Sequence, residues 1–432
     1  MAGEDAGREP TGECQQDLCF LRWVECAVDL TYLLRGPDLA GDEGEEFGEP
    51  LPEGVGEFGV AQSSAAVATL LILAPVVAEV LSGSTPITGV FGLLFFIPMY
   101  GAGALLIREV TRRRRAGWAS VLLLGAAFAL VEEGLVVQAI FHPQAVEAAS
   151  WGAAAGAHLA GVYGIFTLAV VTYHAVWSIA LPIVLCDLLF PAHRNSPLLD
   201  RAGLAVVTPA FAAGLVLVAA LVRTRIAPGY STPPGHLAVT AVAIVALIAL
   251  AYLPRLRTPT GGDTRPNAPP SPWTVAVLVA AAGFAFLGLL MFPAATDTRP
   301  AWANPAVSAS AAVVIAAAVL WLLHRWSHAS GWNDPHRLAI AAGLLLVSPA
   351  VALIQATLHS YGNPGDRIGL VATEIATAGF VVWLSHRLRP TKRRQIVGAG
   401  RADPSHPDDP PDRRRTPRND HRRAMGRPDS DR

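Results

Sequence analysis

A chain of 432 residues with 52% hydrophobic and only 16% charged residues is too apolar for an ordinary water-soluble globular protein and too long for a single membrane anchor. The formal net charge of -1 excludes no class of partner, because it sums an acidic head, an apolar middle and an arginine-rich tail. Cys14, Cys19, Cys26 and Cys186 have neither C-x-x-C spacing nor the density of a disulfide framework, and read as free thiols.

Residues 1–59 form an acidic leader, with Asp42, Glu43, Glu45, Glu46, Glu49, Glu53 and Glu57 interleaved with Gly and Pro. Its composition predicts disorder, with a short surface helix over Leu18 to Leu34; the alternative is a start codon placed too far upstream. No basic n-region precedes an apolar stretch in the manner of a signal peptide.

Ten apolar runs follow, each near the length that crosses about 30 Å of hydrocarbon. They are Ala61 to Leu81, Ile87 to Ile107, Trp118 to Phe141, Tyr163 to Phe190, Ala202 to Val222, Leu237 to Tyr252, Trp273 to Phe292, Val307 to Leu323, Leu338 to Leu358 and Ile368 to Ser385. The fold class is therefore all-α, a polytopic transmembrane helical bundle of about ten helices. Residues 60–253 hold the first six helices and residues 273–386 the last four. Between them, residues 254–272 form a Pro-rich linker. Residues 387–432 are an Arg-rich tail predicted to be disordered and to lie against anionic lipid headgroups. No aromatic interleaving accompanies these arginines, so nucleic acid is not an expected partner. Trp151 to Ala160 reads as a surface helix.

Orientation follows from arginine in the short loops. Arg108, Arg112 to Arg115, Arg194, Arg201, Arg255, Arg257, Arg265, Arg325 and Arg337 fall on one side, against Arg223, Arg225, Arg299 and Arg367 on the other. Both termini are expected in the cytoplasm. A basic complement that is almost all Arg, with Lys392 the single lysine, and a bias to Ala, Gly and Pro suggest a high-GC bacterial source and hence the bacterial plasma membrane.

Two runs carry ionisable groups where lipid-spanning helices normally have none: Glu132 and Glu133 in the third, His174 in the fourth. A charge at that depth costs at least about 2.5–3.5 kcal/mol, so such groups face a protein interior and mark functional sites by default. Adjacent helical residues point about 100° apart, which lets one glutamate face a cavity while the other bonds a neighbouring helix and leaves a shared role open. Thr167, His174 and Ser178 are spaced seven and four residues apart and share one stripe. Pro182 frees the carbonyl of Ser178 and predicts a kink beside His174. Glu133 and His174 fall at comparable depth in consecutive antiparallel helices, where a carboxylate beside an imidazole can hold a proton, activate water or ligate a metal. Glu79 and Glu374, in the outer halves of the first and tenth runs, are supporting candidates. Gln138, Gln355 and Asp187 read as packing residues. The residues name no cofactor and leave metal dependence open.

Glu132-Glu133 with a histidine on the next helix resembles the CPBP family of CAAX-protease and bacteriocin-processing intramembrane proteins. Their motifs begin EExxxR and continue with FxxxH; here Val137 and Val170 stand at the arginine and phenylalanine positions. The resemblance covers the third and fourth runs, and implies a glutamate general base on water with His174 stabilising an oxyanion. The longer stretches Val131 to Phe141 and His174 to Ile183 are similar to uncharacterised multi-pass proteins of actinobacteria, a similarity that implies no activity.

Three functions fit these residues: a proton-linked small-solute transporter, an intramembrane hydrolase of a peptide, and a non-catalytic scaffold whose polar groups specify packing. Proline breaks at Pro75, Pro98, Pro182, Pro209 and Pro349 tip the balance narrowly towards transport.

Overall fold

The computed structural model describes residues 55–142, 158–256, 268–292, 304–358 and 364–389. Among them are ten helices long and apolar enough to cross a membrane. We number them α1 Gln62–Val80, α2 Ile87–Arg113, α3 Trp118–Val136, α4 Gly164–Leu189, α5 Arg201–Ile226, α6 Pro234–Ala251, α7 Pro272–Met291, α8 Pro305–Ser327, α9 Asp334–Leu358 and α10 Pro364–Arg387. Each falls on one of the ten runs expected from hydropathy. Their starts obey local chemistry: Pro opens α6, α7, α8 and α10, where its missing N–H costs nothing. Asp200, Ser271 and Asn304 cap α5, α7 and α8 through side-chain oxygens.

The boundaries differ from expectation in four places. Helical backbone already begins at Val55, inside the stretch read as disordered leader. The third helix ends at Val136 rather than Phe141, because Gln138 takes a left-handed φ of 62° that a helix cannot continue through. Its side chain ties the turn down, accepting from the Thr232 N–H at 3.1 Å. The second helix runs on to Arg113, so Arg108 lies inside it and is buried rather than exposed in a loop. His158–Leu159 pairs as a short antiparallel strand with Val162–Tyr163, where the end of a surface helix was expected. Residues 1–54, Trp151 to Ala157, 257–267 of the linker and 390–432 lie outside the described residues.

The described helices belong to one compact unit ending at Leu388. Helix α4 is its centre, 72% buried within the protein, while α8 is 11% and α6 17% buried and present Val313, Val314, Trp321, Val239 and Val242 outward, as lipid-facing helices do. Helix α3 lies between α4 and α6, and α9 between α7 and α10. Small residues set the approach distances. A Cβ on Gly125 would lie 2.8 Å from Ala175 Cα, which places α3 directly against α4.

Five helices contain a π-helical turn: Val76–Val80, Ile97–Gly101, Val131–Val136, His174–Ala180 and Val222–Ile226. Four have a proline within two residues, Pro228 lying two residues after the fifth. Pro75 precedes the first, Pro98 lies in the second and Pro182 follows the fourth. Proline withdraws the donor its i-4 carbonyl needs, and a wider turn accommodates the break. Pro75 frees the carbonyl of Leu71, and the freed oxygen rests against Gly101 of α2, where any Cβ would collide with it.

At the Arg112 end of α2, charged side chains lock helices together inside the protein. Arg108, 1% exposed, donates to Asp187 Oδ1 at 3.1 Å and to the His193 carbonyl at 2.6 Å. Arg112 meets Asp187 Oδ2 at 2.6 Å. Glu109 accepts from the Leu198 N–H at 2.6 Å, and Arg194 pairs with Asp334 at 2.8 Å. The network joins α2 and α4 to the 190–200 loop and to α9. Asp187 is thus more than a packing residue at a helix end.

Candidate functional site

The π turns of α1 to α4 carry one cluster of polar side chains in the bundle interior. Glu79 lies on the first, Tyr100 on the second, Glu132 and Glu133 on the third, His174 and Ser178 on the fourth. A π turn adds a residue and reorients the side chains that follow it, which is why such turns recur at functional sites.

His174 sits between the two glutamates. Its Nε2 is 3.1 Å from Glu133 Oε1 and its Nδ1 is 3.6 Å from Glu132 Oε2. Both carboxyl groups therefore reach one ring, the shared arrangement that the sequence left open. The altered twist of the π turn and the length of the glutamate side chain bring them together. His174 Nδ1 is 2.9 Å from Ser178 Oγ, so the four-residue spacing does put these two on one stripe. Thr167 is not part of the cluster: its hydroxyl donates to the Tyr163 carbonyl one turn back, at 2.9 Å, the usual local bond of a threonine in a helix.

Tyr100, which hydropathy alone presents as one more apolar residue, donates its hydroxyl to Glu132 Oε1 and stacks on the His174 ring at a centroid distance of 5.8 Å. Phe128 and Tyr173 close the imidazole in from two further sides, at 6.3 and 6.0 Å. A phenol two residues after a mid-span proline was the signal for Tyr100. Glu79, on the π turn of α1, accepts from Thr85 Oγ1 at 2.9 Å. Glu374 makes no hydrogen bond or ion pair with the cluster among the described residues.

Glu132 and His174 are buried, and Glu133 is half-buried, its side chain 13% exposed. Their ion pairs run to each other, so two carboxyl groups share one imidazole. Glu132 Oε2 and Glu133 Oε2 are buried and accept no hydrogen bond. Charges at this depth are stable when neutralised, and protons shared among the three groups would do this.

A cation would serve the same end, and one ligand atom from each of the three lies within 4.8 Å of the others. The donor set fits poorly, however. Both ring nitrogens of His174 are engaged, one by Ser178 and one by Glu133, and Glu132 Oε1 is held by Tyr100. A metal would have to break one of the imidazole contacts to find a lone pair.

Beside Tyr173 lies a cavity of about 30 Å³ lined by Ser82, Tyr173, Ser348, Gln355 and apolar residues of α7 and α9. It has room for water and the polar partners water needs. The Tyr173 and Ser348 hydroxyls lie 2.8 Å apart on its wall, and Gln355, read from sequence as a packing residue, is one of its polar walls.

No curated protein and no solved structure matches this chain. Residues 68–392 match an uncharacterized membrane protein family; that span covers all of α2 to α10 and the whole cluster, and the chain belongs to this family.

Proposed function

We propose that this membrane protein is a proton-linked transporter of a small solute, with Glu132, Glu133 and His174 holding the coupling proton. The observation that carries the reading is the single imidazole bracketed by two carboxyl groups, one buried and one half-buried, a set that accepts and releases protons with small movements of one ring. The wider turns of α1 to α4 support it, since transporters place their sites where helices are interrupted. The arginine distribution favours a bacterial plasma membrane orientation with both termini in the cytoplasm.

A peptide hydrolase fits less well. Glu133 Oε2 accepts no hydrogen bond, which favours that reading, but the imidazole that would stabilise an oxyanion is bonded on both nitrogens, and the cavity beside Tyr173 admits water only and is lined by neither Glu133 nor His174. In a transporter the same closure is one state of a cycle, and solute enters when helices move.

The test is uptake into proteoliposomes from a mixture of small solutes, read by mass spectrometry under an acid-outside gradient. Accumulation of a solute that collapses with the gradient and is absent in Glu133→Gln supports the proposal. Peptide cleavage without uptake would replace it with the hydrolase.

A further inference from the structure

Four consecutive arginines, Arg112 to Arg115, close α2 where the bundle leaves the apolar layer. We propose that the turn they form, together with the end of α6, binds the phosphate group of an anionic phospholipid whose acyl chains lie along the outward face of α6. The site is separate from Glu132, Glu133 and His174 and stands whatever that cluster does.

The backbone of the turn is set against the residue it carries. The Arg115 N–H donates to the Arg112 carbonyl at 3.2 Å, and the Ala116 N–H to the Thr111 carbonyl at 2.8 Å. This is the closure by which helices end at a left-handed residue, most often glycine. Here that residue is Arg115, at a φ of 52° and exposed. A side chain kept against the backbone's preference points to a use for it, and a guanidinium at the membrane surface suits a phosphate. Arg112 and Arg113 pair with Asp187 and Glu109, which fixes the base of the turn to the buried charge network.

An aromatic ring aligns the remaining arginine. The Arg114 guanidinium carbon lies 4.1 Å from the centroid of the Tyr252 ring at the end of α6. A guanidinium stacked by its face directs its N–H edge sideways, the geometry of a two-pronged phosphate contact. Two hydrogen bonds tie the turn and the start of α3 to the end of α6: the Gly117 N–H donates to the Leu256 carbonyl at 2.9 Å, and Ser120 Oγ to the Ala251 carbonyl at 2.8 Å. Trp118 and Tyr252 are exposed beside them, as aromatic residues at the boundary of lipid and water are. From Tyr252 the exposed Val245, Val242 and Val239 run away along α6, an apolar track for hydrocarbon. Phosphate and acyl chain are accommodated at one place, which commits the site to a phospholipid rather than to free phosphate.

The test is lipid binding by the full chain in detergent, read by native mass spectrometry as the ratio of phosphatidylglycerol to phosphatidylethanolamine retained from an equimolar mixture. The parent is expected to favour phosphatidylglycerol. Arg114→Gln and Arg115→Gly should each lower the ratio about fivefold, the scale of one arginine near an anionic membrane surface. Arg115→Gly also relieves the left-handed backbone, so its melting temperature should be no lower than the parent's, and its loss of lipid cannot be laid to misfolding. Should it melt lower, Arg114→Gln decides by the same ratio. Arg225→Gln, at the opposite end of the bundle, should leave the ratio unchanged; an equal fall there would show general charge attraction and overturn the site. A parent without preference, or a ratio unchanged in both the Arg114 and Arg115 variants, would overturn it too. Displacement of phosphatidylglycerol by millimolar inorganic phosphate would overturn the lipid assignment in favour of a free anion.

Discussion

His174 Nε2 and Glu133 Oε1 lie 3.1 Å apart, joining π turns on two neighbouring helices. Replacing either group, by Glu133→Gln or His174→Ala, removes the proton acceptor without emptying the core of large apolar volume. Solute uptake should fall on the order of a hundred- to ten-thousandfold, while membrane insertion and yield remain those of the parent. Proteoliposome uptake beside a fractionation assay reads both; full uptake in the double variant would remove these residues from the mechanism.

Tyr100 supplies the hydroxyl donor to Glu132 Oε1. Tyr100→Phe keeps the ring stacked on His174 but leaves a buried acceptor unsatisfied, at a cost of about 1–3 kcal/mol. Unfolding of the detergent-solubilised protein should shift accordingly, and a variant as stable as the parent would mean that Glu132 finds another donor at once.

Asp187 holds two arginines, Arg108 and Arg112. Asp187→Ala leaves the buried Arg108 guanidinium with Glu109 at 3.7 Å as its remaining carboxylate partner and should destabilise by about 3–5 kcal/mol. Pairing it with Arg108→Met should restore much of the loss, since the uncompensated charge then goes too. Unfolding curves of the single and double variants measure the coupling; equal loss in both would show that the cost is packing rather than charge.

Helix α3 approaches α4 at Gly125, where a methyl group would meet the backbone of Ala175 at 2.8 Å. Gly125→Ala should cost about 1–3 kcal/mol of overpacking and reduce uptake by moving Glu133 off His174. Gly379→Ala, where nothing lies within 4 Å, should be neutral. If the two behave alike in stability and uptake, close helix contact does not set the site.

All ten spans were legible because their length and apolarity are local properties, and each lies where the runs predicted it. What depends on partners far along the chain was not. The pairing of Arg108 with Asp187 spans 79 positions, so a buried arginine read as a loop charge. A regular helical twist left both a split and a shared role open for Glu132 and Glu133, and the π turn that carries them in α3 adjoins no proline that would have announced it. Tyr100 was hidden among aromatic neighbours whose role is packing. Thr167 shared a stripe with His174, yet its hydroxyl is satisfied by its own helix. Spacing alone cannot decide between those outcomes.

The central claim is that His174 exchanges a proton within this cluster under the control of Glu133. It is tested most directly by nitrogen NMR of histidine-labelled protein in lipid bilayers, with the His174 signal assigned by its loss in His174→Ala. The account predicts that the His174 ring nitrogens change protonation state as the bulk pH is varied, and that Glu133→Gln changes the pH at which they do so. A His174 signal indifferent both to pH and to Glu133→Gln would contradict it.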